Sequence, residues 1–155
     1  MPEIFFSKSE RETEEIAFNL AKENKIKFGD IIALRGDLGA GKTAFTRGLV
    51  AFFSPKPRVT SPTFSLVNEY NCDCGASGKP RPTKKILHFD MYRINSHDDL
   101  LSIGFYDYLE NLNEKIIVIE WFEKIADFFD ENTVNINIKK TGENEREINY
   151  ADIGY

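Results

Sequence analysis

The sequence predicts an α/β fold with helices on both faces of a mixed sheet, and three observations predict it. Two short runs, Ile-Ile-Ala-Leu at 31–34 and Ile-Ile-Val-Ile at 116–119, are continuously apolar, the mark of strands buried on both faces. Segments with apolar residues at helical spacing alternate with such runs along the chain. A glycine-rich stretch, 36–41, joins the first run to one of those helical segments. At 155 residues the chain is the size of one domain, 1–155, that needs neither disulfides nor a structural metal to fold.

The elements follow in order. An apolar run at 4–6 precedes Ser9-x-x-Glu12, the form of a capping box at a helix start. Ala17, Ile16, Leu20 and Ala21 then make a helical stripe that ends near Asn24. Phe28-Gly29-Asp30 reads as a turn into the strand at 31–34. After the glycine-rich stretch, Phe45, Leu49, Phe52 and Phe53 line one face of a second helix, which Pro55 and Pro57 terminate. Residues 64–70 alternate as a strand with Phe64, Leu66 and Tyr70 on one face, and 71–85 form an exposed hairpin loop. A further strand is expected over 86–92, one or two short helices around Gly104, the buried strand 116–119 ending at Glu120, and helix over 122–129. The tail alternates at 133–138 and 146–150 around Thr141-Gly142-Glu143-Asn144, which predicts an antiparallel C-terminal hairpin.

Composition excludes several classes of function. Hydrophobic residues at 41% and charged residues at 29% argue against wholesale disorder. A formal charge of −5 argues against bulk attraction to DNA or RNA as the main role of the surface. No apolar run approaches the ~20 residues that span a bilayer, and the first residues lack the pattern of a secretory signal. Two cysteines, Cys72 and Cys74, are too few for a disulfide framework, so a soluble cytoplasmic protein is expected.

The chemistry-bearing motif is Gly36-Asp37-Leu38-Gly39-Ala40-Gly41-Lys42-Thr43, which fits G-x-x-x-x-G-K-[ST] at every fixed position. Its context fits as well, since a buried strand enters it and an amphipathic helix leaves it. Glycines let the backbone curl so that successive N–H groups converge on phosphate oxygens. The helix start adds free N–H groups and the positive end of its dipole. In such a loop the lysine, Lys42, bridges the β- and γ-phosphates, and the hydroxyl of Thr43 ligates magnesium. The predicted architecture is therefore a P-loop NTPase, three-layer α/β/α, with a mixed sheet.

A nucleotide site also needs acids at the ends of neighbouring strands, where open α/β sheets bind ligands. Asp90 ends Ile86-Leu87-His88-Phe89-Asp90 and Glu120 ends Ile116-Ile117-Val118-Ile119-Glu120. One ligates the metal and the other orients or deprotonates water; the spacing leaves both assignments open, with Glu120 preferred because its strand is the more uniformly apolar. Ser61 and Thr63, in Val59-Thr60-Ser61-Pro62-Thr63, are placed to sense a γ-phosphate or its magnesium; the plain alternative is a proline-containing lead into the next strand. No Asn-Lys-x-Asp follows the loop, so the guanine-reading signature is absent, as is an arginine-dense lid. No arginine is an obvious finger, Arg58 and Arg93 being candidates only because they flank the presumed site, so hydrolysis by the isolated chain is expected to be slow. Cys72-x-Cys74 with His88 and His97 departs from zinc-site spacing and reads as incidental.

Four blocks together carry a family resemblance: Gly-Asp-Leu-Gly-Ala-Gly-Lys-Thr at 36–43, Ser-Pro-Thr-Phe-Ser-Leu-Val-Asn-Glu-Tyr at 61–70, His-Phe-Asp-Met-Tyr-Arg at 88–93 and Ile-Glu-Trp at 119–121. In this order and spacing the chain resembles the TsaE (YjeE) family, small bacterial P-loop ATPases needed for the threonylcarbamoyladenosine modification of tRNA. The resemblance implies ATP and Mg²⁺ as ligands, with Lys42 and Thr43 on the phosphates and the metal. It also implies Asp90 at the Walker B position, Glu120 on the metal, Trp121 beside the nucleotide, and Ser61 to Thr63 as a switch-like loop. The implied partners are TsaD and TsaB, with tRNA reached indirectly through their complex. Two rival functions remain at this level: a nucleotide-gated binding module without useful hydrolysis, and a P-loop small-molecule kinase.

Overall fold

The computed structural model describes residues 2–54, 66–72, 84–128 and 132–152. In chain order its elements are β1 (Glu3–Ser7), α1 (Glu10–Lys22), β2 (Ile31–Arg35), α2 (Lys42–Phe53), β3 (Val67–Asn71), β4 (Lys85–Asp90), α3 (His97–Ser102), α4 (Phe105–Tyr108), β5 (Lys115–Glu120), β6 (Val134–Lys140) and β7 (Arg146–Asp152). Short 3₁₀ turns occupy Leu112–Glu114, Phe122–Lys124 and Ala126–Phe128.

The seven strands form one mixed sheet in the order β1-β7-β6-β2-β5-β4-β3. Its middle is parallel, β6 with β2, β2 with β5, and β5 with β4. Antiparallel strands flank both sides: β3 beside β4, and the β6–β7 hairpin followed by β1. The two continuously apolar runs are thus β2, the central strand, and β5 beside it, and the C-terminal hairpin forms as alternation predicts.

Period-two alternation sorts the core into two layers. Ile32, Leu34, Ile86, Ile116 and Val118 pack with α1 and α2. Ile31, Ala33, Leu87, Phe89, Ile117 and Ile119 pack on the opposite face with Leu100 and Phe105 of α3 and α4. Burying roughly 25 cal/mol per Å² of apolar surface on both faces makes these strands the stable frame of the molecule. Helix α1 starts as its sequence dictates: Ser9 Oγ accepts from Glu12 N–H at 3.1 Å, while the Glu12 carboxylate reaches back to the N–H of Lys8. Helices α1 and α2 lie so close at Gly48 that a Cβ there would stand 2.1 Å from the Glu14 carbonyl oxygen.

Four expectations are corrected. Residues 122–128 are 3₁₀ turns rather than helix; Trp121 takes a left-handed conformation (φ 60°), and burial of Phe122 and Ile125 three apart suits the tighter turn. Strand β4 stops at Asp90 rather than Tyr92, because Asp90 Oδ1 accepts the Tyr92 N–H at 3.0 Å and turns the chain. Leu66 does not share a face with Tyr70: it precedes β3 and packs with the α3–α4 layer, whereas Tyr70 joins the α1–α2 layer. Phe52 is partly exposed, edge-on to Phe18 of α1 and to Phe53, at the rim of the helix pair. Phe64 and most of the expected 71–85 loop lie outside the described residues.

Candidate functional site

Strand β2 delivers the chain to Gly36 at the carboxyl edge of the parallel strands, and α2 carries it away from Lys42. Between them the loop turns tightly, with Ala40 N–H donating to Asp37 C=O at 2.9 Å. Gly39 (φ 79°) and Gly41 (φ 114°) take conformations that side chains rarely adopt. A Cβ on Gly36 would lie 2.7 Å from the Ile138 carbonyl oxygen, so the loop also beds directly on β6. Gly41 caps α2 without a side-chain hydrogen bond, and no acid occupies the first turn. In α1, by contrast, Ser9 caps the start and Glu10 and Glu12 occupy the first turn. The start of α2 therefore keeps N–H donors and dipole free for an anion.

Leu34, Glu120 and Asp90 form one row across β2, β5 and β4. Even-numbered alternation aims both acids and His88 at the α2 face, beneath the loop. Lys42 Nζ donates to Gly36 C=O at 2.6 Å and lies 3.8 Å from Glu120 Oε1. The same ammonium sits 5.7 Å from the centroid of the Trp121 ring, close enough for cation–π attraction. Trp121 in turn leans on Tyr92, with centroids 5.2 Å apart. Glu120 is buried, and its Oε2 is 2.5 Å from Nε2 of the fully buried His88. Asp90 is half-buried; withdrawal from water pushes its carboxyl above the ordinary range, and the neighbouring Glu120 charge adds to the rise. The Tyr92 N–H, His88 and Lys42 act in the opposite direction.

Two cavities flank the loop. One, of about 380 Å³, opens at its lysine end between Asp37, Leu38, Lys42 and Trp121. The other, of about 190 Å³, opens beside Gly41 and Ala44 against Ser9, Thr13, Asn144 and Arg146. Arg146 closes the second by donating from Nε to Ala40 C=O at 2.7 Å and from Nη2 to Gly39 C=O at 3.2 Å.

The fold thus brings together Gly36, Asp37, Leu38, Gly39, Ala40, Gly41, Lys42, Thr43, Asp90, Glu120 and Trp121. Ser61 and Thr63, with Arg58, lie outside the described residues. Arg93 is exposed. The two histidines weighed for zinc are engaged elsewhere, His88 with Glu120 and His97 with the Tyr106 hydroxyl at 3.1 Å.

Comparison with known proteins bears on the same residues. The sequence profile of "Threonylcarbamoyl adenosine biosynthesis protein TsaE" matches residues 7–148, nearly the whole chain. The chain belongs to the TsaE family. A TsaE relative, the tRNA threonylcarbamoyladenosine biosynthesis protein of Rickettsia typhi, is 37% identical over 139 residues, spanning 89% of this chain and 87% of that one. The TsaE of Bacillus subtilis is 33% identical over 128 residues, 83% of this chain and 73% of its own length. The crystal structure of Bacillus subtilis YdiB superposes with a TM-score of 0.70 at 27% identity, covering 99% of this chain and 87% of that one. The TsaE resemblance read from the four sequence blocks is borne out, and the mixed α/β fold with it.

Two contributors to this TsaE site are missed by sequence reasoning. His88 carries a signal, a lone polar residue inside an apolar strand two positions before Asp90, and therefore on its face. Arg146 carries none, since nothing local marks an arginine that reaches a loop 106 residues away.

Proposed function

We propose that this chain binds ATP with Mg²⁺ at residues 36–43 and hydrolyses it, slowly alone and faster when docked to TsaD and TsaB, in support of tRNA N6-threonylcarbamoyladenosine formation. Its setting is the cytoplasm, and tRNA is reached through the partner complex. The observation that carries the reading is the meeting of Lys42 and Glu120 at the mouth of the glycine-rich loop, over a helix start left open to an anion.

The residues present fit a magnesium site. Thr43 hydroxyl and the Glu120 and Asp90 carboxylates are hard oxygen donors of the kind Mg²⁺ takes. The two acids share a row beneath the loop; burial raises the Asp90 carboxyl first of all, and the repulsion from Glu120 that adds to the rise is what a cation between them relieves. When bound, the ion neutralises charge on the β- and γ-phosphates. The chain's own groups do the rest. Backbone N–H groups of 36–43 and the Lys42 ammonium bind the phosphates and stabilise charge as it spreads in the transition state. Asp90 orients the attacking water, and the Trp121 ring shields Lys42 from solvent on one side. With the γ-phosphate at the lysine end, the cavity beside Gly41 and Ala44 receives the nucleoside. Partner docking acts through the 58–64 segment, or supplies a missing charge, and so licenses hydrolysis.

The test is ATP turnover with and without the TsaD–TsaB complex, for the natural chain and for Lys42→Ala and Glu120→Ala. Both variants are expected to abolish partner-stimulated hydrolysis; unchanged rates in both would refute the assignment. A chain that binds ATP yet stays inert in single-turnover assays with the complex present is a binding module instead.

A further inference from the structure

Between its end residues Lys85 and Asp90, strand β4 is apolar except at His88, whose side chain is fully buried. Its Nε2 lies 2.5 Å from Glu120 Oε2, and its Nδ1 has no hydrogen-bond partner among the described residues. A proton on Nδ1 would be a buried donor with nothing to receive it, which costs more than a lone pair left unfilled. The hydrogen therefore belongs on Nε2, donated to the carboxylate.

The strand frame makes this contact possible. Asp90 pairs with Glu120 across the parallel β4–β5 ladder and His88 with Val118, so His88 stands one pleat behind Glu120 on the same face. From there an imidazole reaches forward to one carboxylate oxygen. Glu120 is a three-torsion side chain in a buried position, and a buried carboxylate lacking partners either protonates or swings toward one. The bond to Oε2 holds it and leaves Oε1 on the Lys42 side, 3.8 Å from Nζ.

We propose that His88 is a positioning residue for Glu120: it holds one carboxylate oxygen so that the other is presented to the metal–phosphate end of the site. The inference rests on the reading of Glu120 as a magnesium-site acid. It goes beyond that reading by assigning a function to the buried imidazole behind Glu120. Outer partners of metal-binding carboxylates and histidines act in this way, and losing one typically costs 10–100-fold in metal affinity or activity.

The test compares His88→Leu, which fills the space without a donor, with His88→Gln, whose amide nitrogen stands near the place of Nε2. Each is assayed for partner-stimulated ATP turnover and, independently of turnover, for Mn²⁺ binding by electron paramagnetic resonance with a non-hydrolysable ATP analogue. Thermal melts check folding. His88→Leu is expected to lower kcat and weaken Mn²⁺ binding each by about tenfold, with KM for ATP changed less than about twofold, and His88→Gln to recover most of both losses. If His88→Leu melts below the assay temperature, His88→Asn replaces it, its amide stopping short of Oε2. Equal impairment of the donor and non-donor variants means simple packing and overturns the proposal. Wild-type behaviour of both, with Lys42→Ala inactive, overturns it while leaving the nucleotide reading intact. An unimpaired Lys42→Ala overturns the nucleotide reading itself.

Discussion

Arg146, on β7, donates to the carbonyl of Ala40, in the middle of the glycine-rich loop, at 2.7 Å. A second bond from the same guanidinium reaches Gly39, and others reach the carbonyls of Gly142, Glu143 and Glu145 in the β6–β7 turn. The C-terminal hairpin is thereby stapled to the glycine-rich loop at which nucleotide binding is proposed. In the proposed site, carbonyls held by the guanidinium are kept from turning toward the phosphates.

Arg146→Ala is accordingly expected to weaken nucleotide binding. Charge-assisted bonds of this kind contribute about 1.5–3 kcal/mol, so a rise in Kd of roughly tenfold or more follows. Arg146→Lys recovers little of it, because a point charge cannot span two carbonyls. Titration with a fluorescent ADP analogue measures this, and an unchanged Kd in the alanine variant would remove the staple from the account.

Gly48→Ala tests the α1–α2 contact. Alanine gains about 1 kcal/mol in helix propensity, yet its Cβ would sit 2.1 Å from a backbone oxygen of α1 that cannot rotate aside. Overpacking of this kind costs about 1–3 kcal/mol, and the rigid partner puts this site at the upper end. A lower urea midpoint is expected, and a stability gain would show that the helices separate freely.

Asp90→Asn separates stability from function. The folded carboxyl titrates above its ordinary value because of burial and the Glu120 charge. The folded state thus keeps a proton that the unfolded chain has released, and stability falls as pH climbs from the unfolded value of 3.8 through the shifted one. Asparagine keeps the acceptor for the Tyr92 N–H and abolishes this slope. At neutral pH it is expected to stabilise the fold by under about 1 kcal/mol, since partial exposure screens the charge, while partner-stimulated turnover collapses. Denaturant midpoints across pH 3 to 8 for both proteins decide it, and parallel curves would sink the claim.

Tyr150→Phe tests the alkaline side. Burial raises the phenol above its ordinary value of 10, and its hydroxyl donates to the Lys25 carbonyl at 3.0 Å. Stability from this group is fully present below the unfolded pKa and is lost as pH rises through the raised one. The phenylalanine variant is expected to be less stable by about 1 kcal/mol at pH 8 and to lack the tyrosine-linked part of the decline above pH 10. Identical pH profiles would contradict the assignment.

The sheet was legible in the residues because its signals are local. Short continuous apolar runs with turn or glycine signals beside them read as strands buried on both faces, and they became β2 and β5 at the centre. The glycine spacing at 36–43 demands positive φ at Gly39 and Gly41 and so announces itself without any tertiary knowledge. Acids at the ends of apolar strands were legible for the same reason, since parallel strands finish at one edge. Leu66 and the 122–128 turns misled because a shift of a few residues in where a strand begins, or a single left-handed residue such as Trp121, leaves almost no trace in hydrophobic patterning.

By itself, then, the chain of residues determined most of its strands and its longer helices, the place of the glycine-rich loop between β2 and α2, and the acids that end the neighbouring strands. Only the tertiary structure decided that Glu120 lies beside Lys42, that His88 grips it from a neighbouring strand, and that Arg146 fastens the cradle from the far end of the chain. The first set follows from steric and hydrophobic preferences within a few consecutive residues. The second depends on strand order and register, which arise from packing over long sequence separations and leave no local mark.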